Sequence, residues 1–210
     1  MAIPASSTET NNKKTNLRDV KLEYRVILNM MRPDTSVLDL GCGDGALMSL
    51  LVKERNARAQ GIEIDEQAIY QCVGKGLSVF HGDVDSGLSE YPDRSFDYVI
   101  LNQSFQQVKN PDMVLNEALR VGKQVIVGFP NFAYYTARLQ LALGRAPITT
   151  SLPYQWYNTP NTHFFSIADF KKYCLVRNIK IEKTAFISHN RTVPILPNLL
   201  ADIGIFLICR

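Results

Sequence analysis

The sequence predicts an α/β fold, a mostly parallel sheet with helices on both faces, and three observations predict it. Short apolar runs alternate with amphipathic segments up to about residue 130. The first run breaks into glycines at alternate positions, and the next two each end on an acid. Regular strand–helix alternation is the pattern of parallel strands joined by right-handed crossovers.

The elements follow in order. Val20, Tyr24, Ile27, Leu28 and Met31 recur at helical spacing, and Pro33 stops that helix. Strands are expected over Ser36–Leu40, Arg58–Glu63, Ser78–His81, 96–101 and 123–129. Asp65 is placed to cap a helix containing Ala68, Ile69, Cys72 and Val73. Asn110-Pro111 opens the helix of Val114, Leu115, Ala118 and Leu119, which Gly122 ends. Residues 179–188 and 200–209 supply the antiparallel pair that closes a seven-stranded sheet. Between the fifth strand and the next helix, about 130–165, lies a long aromatic insertion without regular periodicity. A segment of that length in a compact domain is functional or disordered, and its aromatics argue for an ordered lid or binding surface. Packing over an exposed edge of the core is the plainer alternative.

Composition excludes several classes. The chain has 210 residues, 46% of them hydrophobic and 20% charged, which suits one large domain. Net charge is +3, and Lys13, Lys14 and Arg18 against Glu9 place most of it in the first 18 residues. The body therefore lacks an electrostatic footprint for nucleic acid or anionic membrane. Residues 1–16, rich in Ser, Thr and Asn, read as a disordered extension with no apolar signal core, and 17–210 as a single domain. No run is long enough to span a membrane, and a cytoplasmic location is the expectation. Cys42, Cys72, Cys174 and Cys209 show no metal or redox spacing and read as reduced, mostly core residues; no metal site is expected.

The chemistry concentrates in three motifs. Val37-Leu38-Asp39-Leu40-Gly41-Cys42-Gly43-Asp44-Gly45 is an apolar strand opening through a glycine turn into a helix, which presents bare backbone amides to a nucleotide-like ligand. Its order, D-x-G-x-G-x-G, differs from the G-x-G-x-x-G of dinucleotide-binding turns. About 20 residues on, Gly61-Ile62-Glu63-Ile64-Asp65 places an acid where a ribose diol needs an acceptor. Val79-Phe80-His81-Gly82-Asp83-Val84 ends a third strand on another acid.

These motifs resemble those of class I S-adenosylmethionine-dependent methyltransferases. The resemblance implies a Rossmann-like, seven-stranded class I methyltransferase fold, mostly parallel with an antiparallel C-terminal strand. It also implies binding of S-adenosylmethionine or S-adenosylhomocysteine. Asp39 would help to hold the methionine ammonium, Gly41, Cys42, Gly43 and Gly45 would lie under the methionine moiety, and Glu63 with Ile64 would meet the ribose. Asp83 with Val84 would meet the adenine. After the fourth strand, Asn102-Gln103-Ser104-Phe105 lacks the two prolines of amino-methylating enzymes, which argues against nucleobase or amide N-methylation.

Further blocks narrow the resemblance. Ser95-Phe96-Asp97-Tyr98-Val99-Ile100-Leu101, Gly128-Phe129-Pro130-Asn131-Phe132, Leu152-Pro153-Tyr154-Gln155-Trp156-Tyr157-Asn158-Thr159-Pro160-Asn161 and Val193-Pro194-Ile195-Leu196-Pro197-Asn198-Leu199-Leu200 are similar to the MetW family of methionine biosynthesis proteins. The similarity runs from about residue 17 to 210. It implies a role in making methionine with, or by activating, homoserine O-acyltransferase, and does not carry methyl transfer with it.

Asn102, Gln103, Gln106, Gln107 and Asn131 are the polar residues expected around the pocket; neutral amides are poor proton-transfer groups. His163, with Tyr154 and Tyr157, is the candidate base, weighed against an ordinary packed histidine. Tyr154, Trp156, Tyr157 and His163, with Asn102, Gln106 and Asn131, form the expected substrate or partner surface. His81 reads as core and His189 as surface. Three readings stand: a non-catalytic activator gated by the adenosyl ligand, a methyltransferase acting on an unidentified small molecule, and a structural subunit that no longer binds the cofactor.

Overall fold

The computed structural model of the chain describes residues 20–210, so the expected extension at 1–16 lies outside the described residues. In chain order the strands are β1 (Ser36–Leu40), β2 (Arg58–Glu63), β3 (Ser78–His81), β4 (Phe96–Asn102), β5 (Gly122–Pro130), β6 (Lys180–Ser188), β7 (Arg191–Thr192) and β8 (Ile203–Cys209). The α-helices are α1 (Leu22–Met30), α2 (Ala46–Arg55), α3 (Glu66–Gly74), α4 (Pro111–Val121), α5 (Tyr135–Ala142), α6 (Ile167–Val176) and the one-turn α7 (Pro197–Leu200).

One sheet runs β3-β2-β1-β4-β5-β8-β6-β7. β1 to β5 are parallel, and β8 runs antiparallel between β5 and β6. The sheet has eight strands rather than the seven expected. The extra one, β7, is a two-residue return paired with β6 through His189 and Asn190, both at positive φ, and is too short to show any alternation in sequence.

The central strands are buried on both faces, so successive residues feed opposite layers. Val37, Tyr98, Ile100 and Ile126 pack with Ile27 of α1 and Leu50 and Leu51 of α2. Leu38, Leu40, Val99 and Val125 pack with Val114 and Leu115 of α4 and Phe170 of α6. Each such side chain contributes about 1.5–3 kcal/mol on burial. With both faces apolar, polar groups are left to collect beyond the carboxyl ends of the strands. β3 is an edge strand and His81 is exposed, not core as its neighbours suggested.

The insertion leaves β5 at Asn131 and returns at α6. Its neck is closed by Phe132 N–H donating to the Phe165 carbonyl at 3.2 Å and by the Phe132 and Phe164 rings at 4.9 Å. Asn131 is fully buried there. Its amide donates to the carbonyls of Asn198 and Ala201, and its side-chain oxygen accepts from the Ala133 and Ile167 amides. This corrects the expectation of a surface or pocket asparagine: Asn131 clamps β5, α6 and α7 together.

Candidate functional site

The glycine turn works because its backbone goes where side chains cannot. Gly41, Gly43 and Gly45 all have positive φ, at 73°, 54° and 73°. A Cβ on Gly45 would stand 2.5 Å from Leu77 Cδ1 and 2.8 Å from Cys72 Sγ, so this glycine lets α2 seat against α3. A Cβ on Gly43 would meet nothing within 4 Å, so here the bare backbone faces open space.

Glu63, at the end of β2, completes the turn. Its Oε2 accepts from Gly43 N–H at 2.7 Å, and Oε1 accepts from the Ile64 and Asp65 amides at 2.8 and 3.0 Å. Residues 20 positions apart are thus joined by one charge-assisted bond at the mouth of the turn. Asp83, one residue past Gly82, caps the short turn Val84–Ser86, accepting from Asp85 N–H at 2.9 Å. Asp85 in turn accepts from the amides of Lys109 and Asn110 at 2.8–2.9 Å.

Around these groups lies a cleft of about 510 Å³. Gly41, Cys42, Gly43, Glu63, Ile64, Asp83, Val84 and Asn102 line it as the sequence suggested, with Gln103 and Gln107. α1 and its N-cap supply lining residues that sequence reasoning missed, Glu23 and Tyr24 with Lys21, and Asp44, Asp85 and Lys109 complete the wall. Tyr24 was legible only as one member of an apolar stripe, and no spacing marks Glu23 beside it. Asp85 had a signal, its position two residues after Asp83.

Two predicted residues sit behind the wall. Gly45 is the N-cap of α2, and Asp39 is 2% exposed, buried under the turn. Burial, with Glu63 adding repulsion, pushes Asp39 up to about 7. Burial also raises Glu23, while Lys21 and the amides of Asn102 and Gln103 pull it back. The Cys42 thiol is raised by burial and then by Asp39, the opposite of what a nucleophile needs. Carboxylates therefore dominate the cleft: Glu23, Asp44, Glu63, Asp83 and Asp85 against Lys21 and Lys109. Such a lining favours a cationic or diol-bearing ligand over a phosphate.

The remaining candidates do not join this cleft. Gln106 is buried; its side-chain amide donates to the Gln103 carbonyl at 2.9 Å and its backbone carbonyl accepts from the Thr162 and His163 amides at 3.0 Å, while its Oε1 has no hydrogen-bond partner among the described residues. It ties the insertion to the loop after β4 and offers nothing to a surface. Tyr154 and Trp156 line a separate groove of about 490 Å³, with Tyr157 edge-on to Trp156 at 5.6 Å. His163 is half-buried in a third cavity of about 640 Å³, beside the N-terminus of α4 and against α6, with Nε2 3.4 Å from the Lys109 carbonyl. No residue of 130–165 lines the glycine cleft, so the insertion is not a lid over it. No group of His, Cys, Asp and Glu suited to a metal ion occurs among the described residues. No helix among them is long and apolar enough to cross a membrane.

Known proteins bear on this arrangement. The family model described as "Methionine biosynthesis protein MetW" matches residues 21–208. A bifunctional methionine biosynthesis protein MetXA/MetW of Rhodopirellula baltica is 34% identical over 190 residues, covering 85% of this chain and 30% of that protein. The chain thus spans under a third of that relative. Among solved structures, a methyltransferase of Mesorhizobium loti dependent on S-adenosylmethionine superposes with a TM-score of 0.67 at 16% identity, covering 91% of this chain and 99% of the other. A Thermotoga maritima methyltransferase of the same dependence gives 0.64 at 17% identity, covering 90% and 87%. At such identities the likeness is one of fold.

Proposed function

The chain belongs to the MetW family of methionine biosynthesis proteins, and from that premise we propose that it is an adenosyl-ligand-binding partner of homoserine O-acyltransferase, acting in methionine biosynthesis by modulating that enzyme. The observation that carries the ligand half is the convergence of the glycine turn, Glu63 and Asp83 on one cleft beyond the carboxyl ends of β1 to β4, where ligands of open α/β sheets bind. The partner half is supported by the printed name of the Rhodopirellula relative, which joins two methionine biosynthesis functions in one chain.

The residues fit the ligand. The open space at Gly43 lets a methionine chain approach the backbone, and Glu63, which spends three of its acceptor positions on the Gly43, Ile64 and Asp65 amides, keeps one on Oε2 for a ribose hydroxyl. Asp83 and Val84 take the adenine end. Asp39, beneath the turn, and Glu23, across the cleft, supply negative potential for an ammonium or sulfonium. S-adenosylmethionine would bring an electrophilic methyl group to this place. Beside the carboxylates, the cleft holds the neutral amides of Asn102, Gln103 and Gln107, which orient ligands and move no protons. The second reading, methyl transfer to a small molecule, is favoured by one observation: the fold superposes on methyltransferases that depend on S-adenosylmethionine.

Isothermal calorimetry with S-adenosylmethionine and S-adenosylhomocysteine tests the ligand half; no heat with either removes it. Homoserine acylation measured with and without added protein tests the partner half, and radiolabelled methyl donor separates the second reading.

A further inference from the structure

The groove beneath Trp156 belongs to the least acidic part of the chain. From residue 118 to 168 there is no Asp or Glu. Nine of the nineteen exposed large apolar side chains among the described residues fall within 135–164, led by Trp156, Leu143 and Tyr157 at 76%, 69% and 69% exposure. A scattered exposed Leu needs no explanation, whereas this density in 30 residues marks a contact surface.

The surface is built, not slack. The Gln140 side chain pins the Ile148 backbone through two hydrogen bonds of 2.9 Å, Asn158 Oδ1 accepts from Gln155 N–H at 2.9 Å, and Leu152 is buried beneath. Its ordering has already occurred on folding, which lowers the cost of association. The groove contains Asn161, which is 8% exposed and whose Oδ1 has no hydrogen-bond partner among the described residues. A buried acceptor left unpaired beside Pro147, Leu152 and Phe164 would be satisfied by an apolar group that seats in the groove and carries an N–H or O–H donor. Arg138 and Arg145 are exposed at its margin, one turn before Leu141 and next to Ala146, and neither makes an ion pair with a described residue.

We propose that this groove is the docking site for a partner protein that inserts an apolar, donor-bearing side chain, such as Trp or Tyr, from within a carboxylate-rich surface. A second copy fits poorly: a two-fold interface sets the patch against itself and would bring arginines together with no acid to offset them. Two exposed arginines are also too few for a nucleic-acid backbone. The assignment rests on the reading that the chain acts with homoserine O-acyltransferase and adds where and by what chemistry they meet.

The test is the affinity of the full chain for purified homoserine O-acyltransferase across a salt series. Wild type should bind more weakly as salt rises, and Trp156→Ala should weaken binding by about tenfold or more. Arg138→Glu/Arg145→Glu should weaken it and flatten the salt dependence, whereas Tyr70→Ala, an equally exposed aromatic on α3, should leave it within about twofold. Unfolding temperature and S-adenosylmethionine affinity verify that each variant is folded. Wild-type binding that survives all these changes overturns the docking site and leaves the partnership standing. No binding by wild type overturns both. Self-association abolished by Trp156→Ala, or oligonucleotide binding lost on charge reversal, overturns the site in favour of another occupant.

Discussion

The glycine cleft and the aromatic insertion are opposites in chemistry and in the way they are built. The cleft draws one or two residues from each of several elements and lines them with carboxylates, while its backbone amides are held in place by Glu63. The insertion is one continuous stretch without an acid, fastened at the neck by Asn131 and turned outward. Convergent acids and bare amides suit a small cationic ligand with many polar atoms. A contiguous apolar face with arginines suits a macromolecule. The difference teaches that a methyltransferase-like scaffold carries two separate surfaces here, joined where the cleft-wall residues Val108 and Lys109, with buried Gln106 beside them, hold Thr162 and His163 through their carbonyls.

The largest effect should come from breaking the cleft's frame. Gly45→Val places branched carbons into Leu77 and Cys72 at positive φ and should lower stability by about 2–4 kcal/mol, read by denaturant unfolding. Trp156→Ala, at 76% exposure, should change stability by less than about 0.5 kcal/mol. Equal losses would mean that the insertion belongs to the core.

Glu63→Ala should weaken S-adenosylmethionine binding by about 1–3 kcal/mol in calorimetry, since it removes the ribose acceptor and frees the Gly43 amide. Unchanged ligand affinity in that variant would remove Glu63 from the site. Trp156→Ala should leave ligand affinity unaltered.

Acidity sharpens the contrast further. Asp39 is held near 7, above its ordinary 3.8, because burial disfavours the charge. The folded state therefore binds this proton more tightly than the unfolded one. The stability it contributes is present below pH 4 and is lost as pH rises through about 7, and Asp39→Asn should flatten that loss. A cationic ligand favours the ionised carboxylate, so S-adenosylmethionine affinity should rise between pH 6 and 8, by up to about tenfold. S-adenosylhomocysteine lacks the sulfonium charge and should gain less. Parallel rises for the two ligands would assign the effect to the ammonium that both carry, and affinities independent of pH would show that Asp39 does not sense the charge.

Much of this was legible in the sequence because it is local. The strands announced themselves as apolar runs, and the turn as alternate glycines followed by acids at strand ends. What was hidden depends on contacts distant in the chain. Glu23 reaches the cleft because α1 packs on the sheet face it shares with α2 and brings its first turn to the cleft mouth, a placement with no spacing to betray it. Asn131 and Gln106 looked like pocket amides, yet the Asn131 side chain holds the backbone of Ile167, Asn198 and Ala201, and the Gln106 backbone carbonyl holds Thr162 and His163, all distant in the chain. His81 read as core because its strand reads as apolar, but β3 has a neighbour on one side only. The aromatic insertion was identifiable as ordered, while its separation from the cleft was not.

The central claim is that the adenosyl cleft and the partner surface serve one enzyme other than this chain. The direct measurement is the rate of homoserine acylation by homoserine O-acyltransferase titrated with the full chain, with S-adenosylmethionine absent and at saturation. The account predicts a saturable rise in rate whose midpoint or plateau moves with the ligand, because only differential affinity for free and engaged states can couple the two. No effect on acylation at any ligand concentration, together with saturable transfer of labelled methyl to a small molecule that Asp39→Ala abolishes, would contradict it.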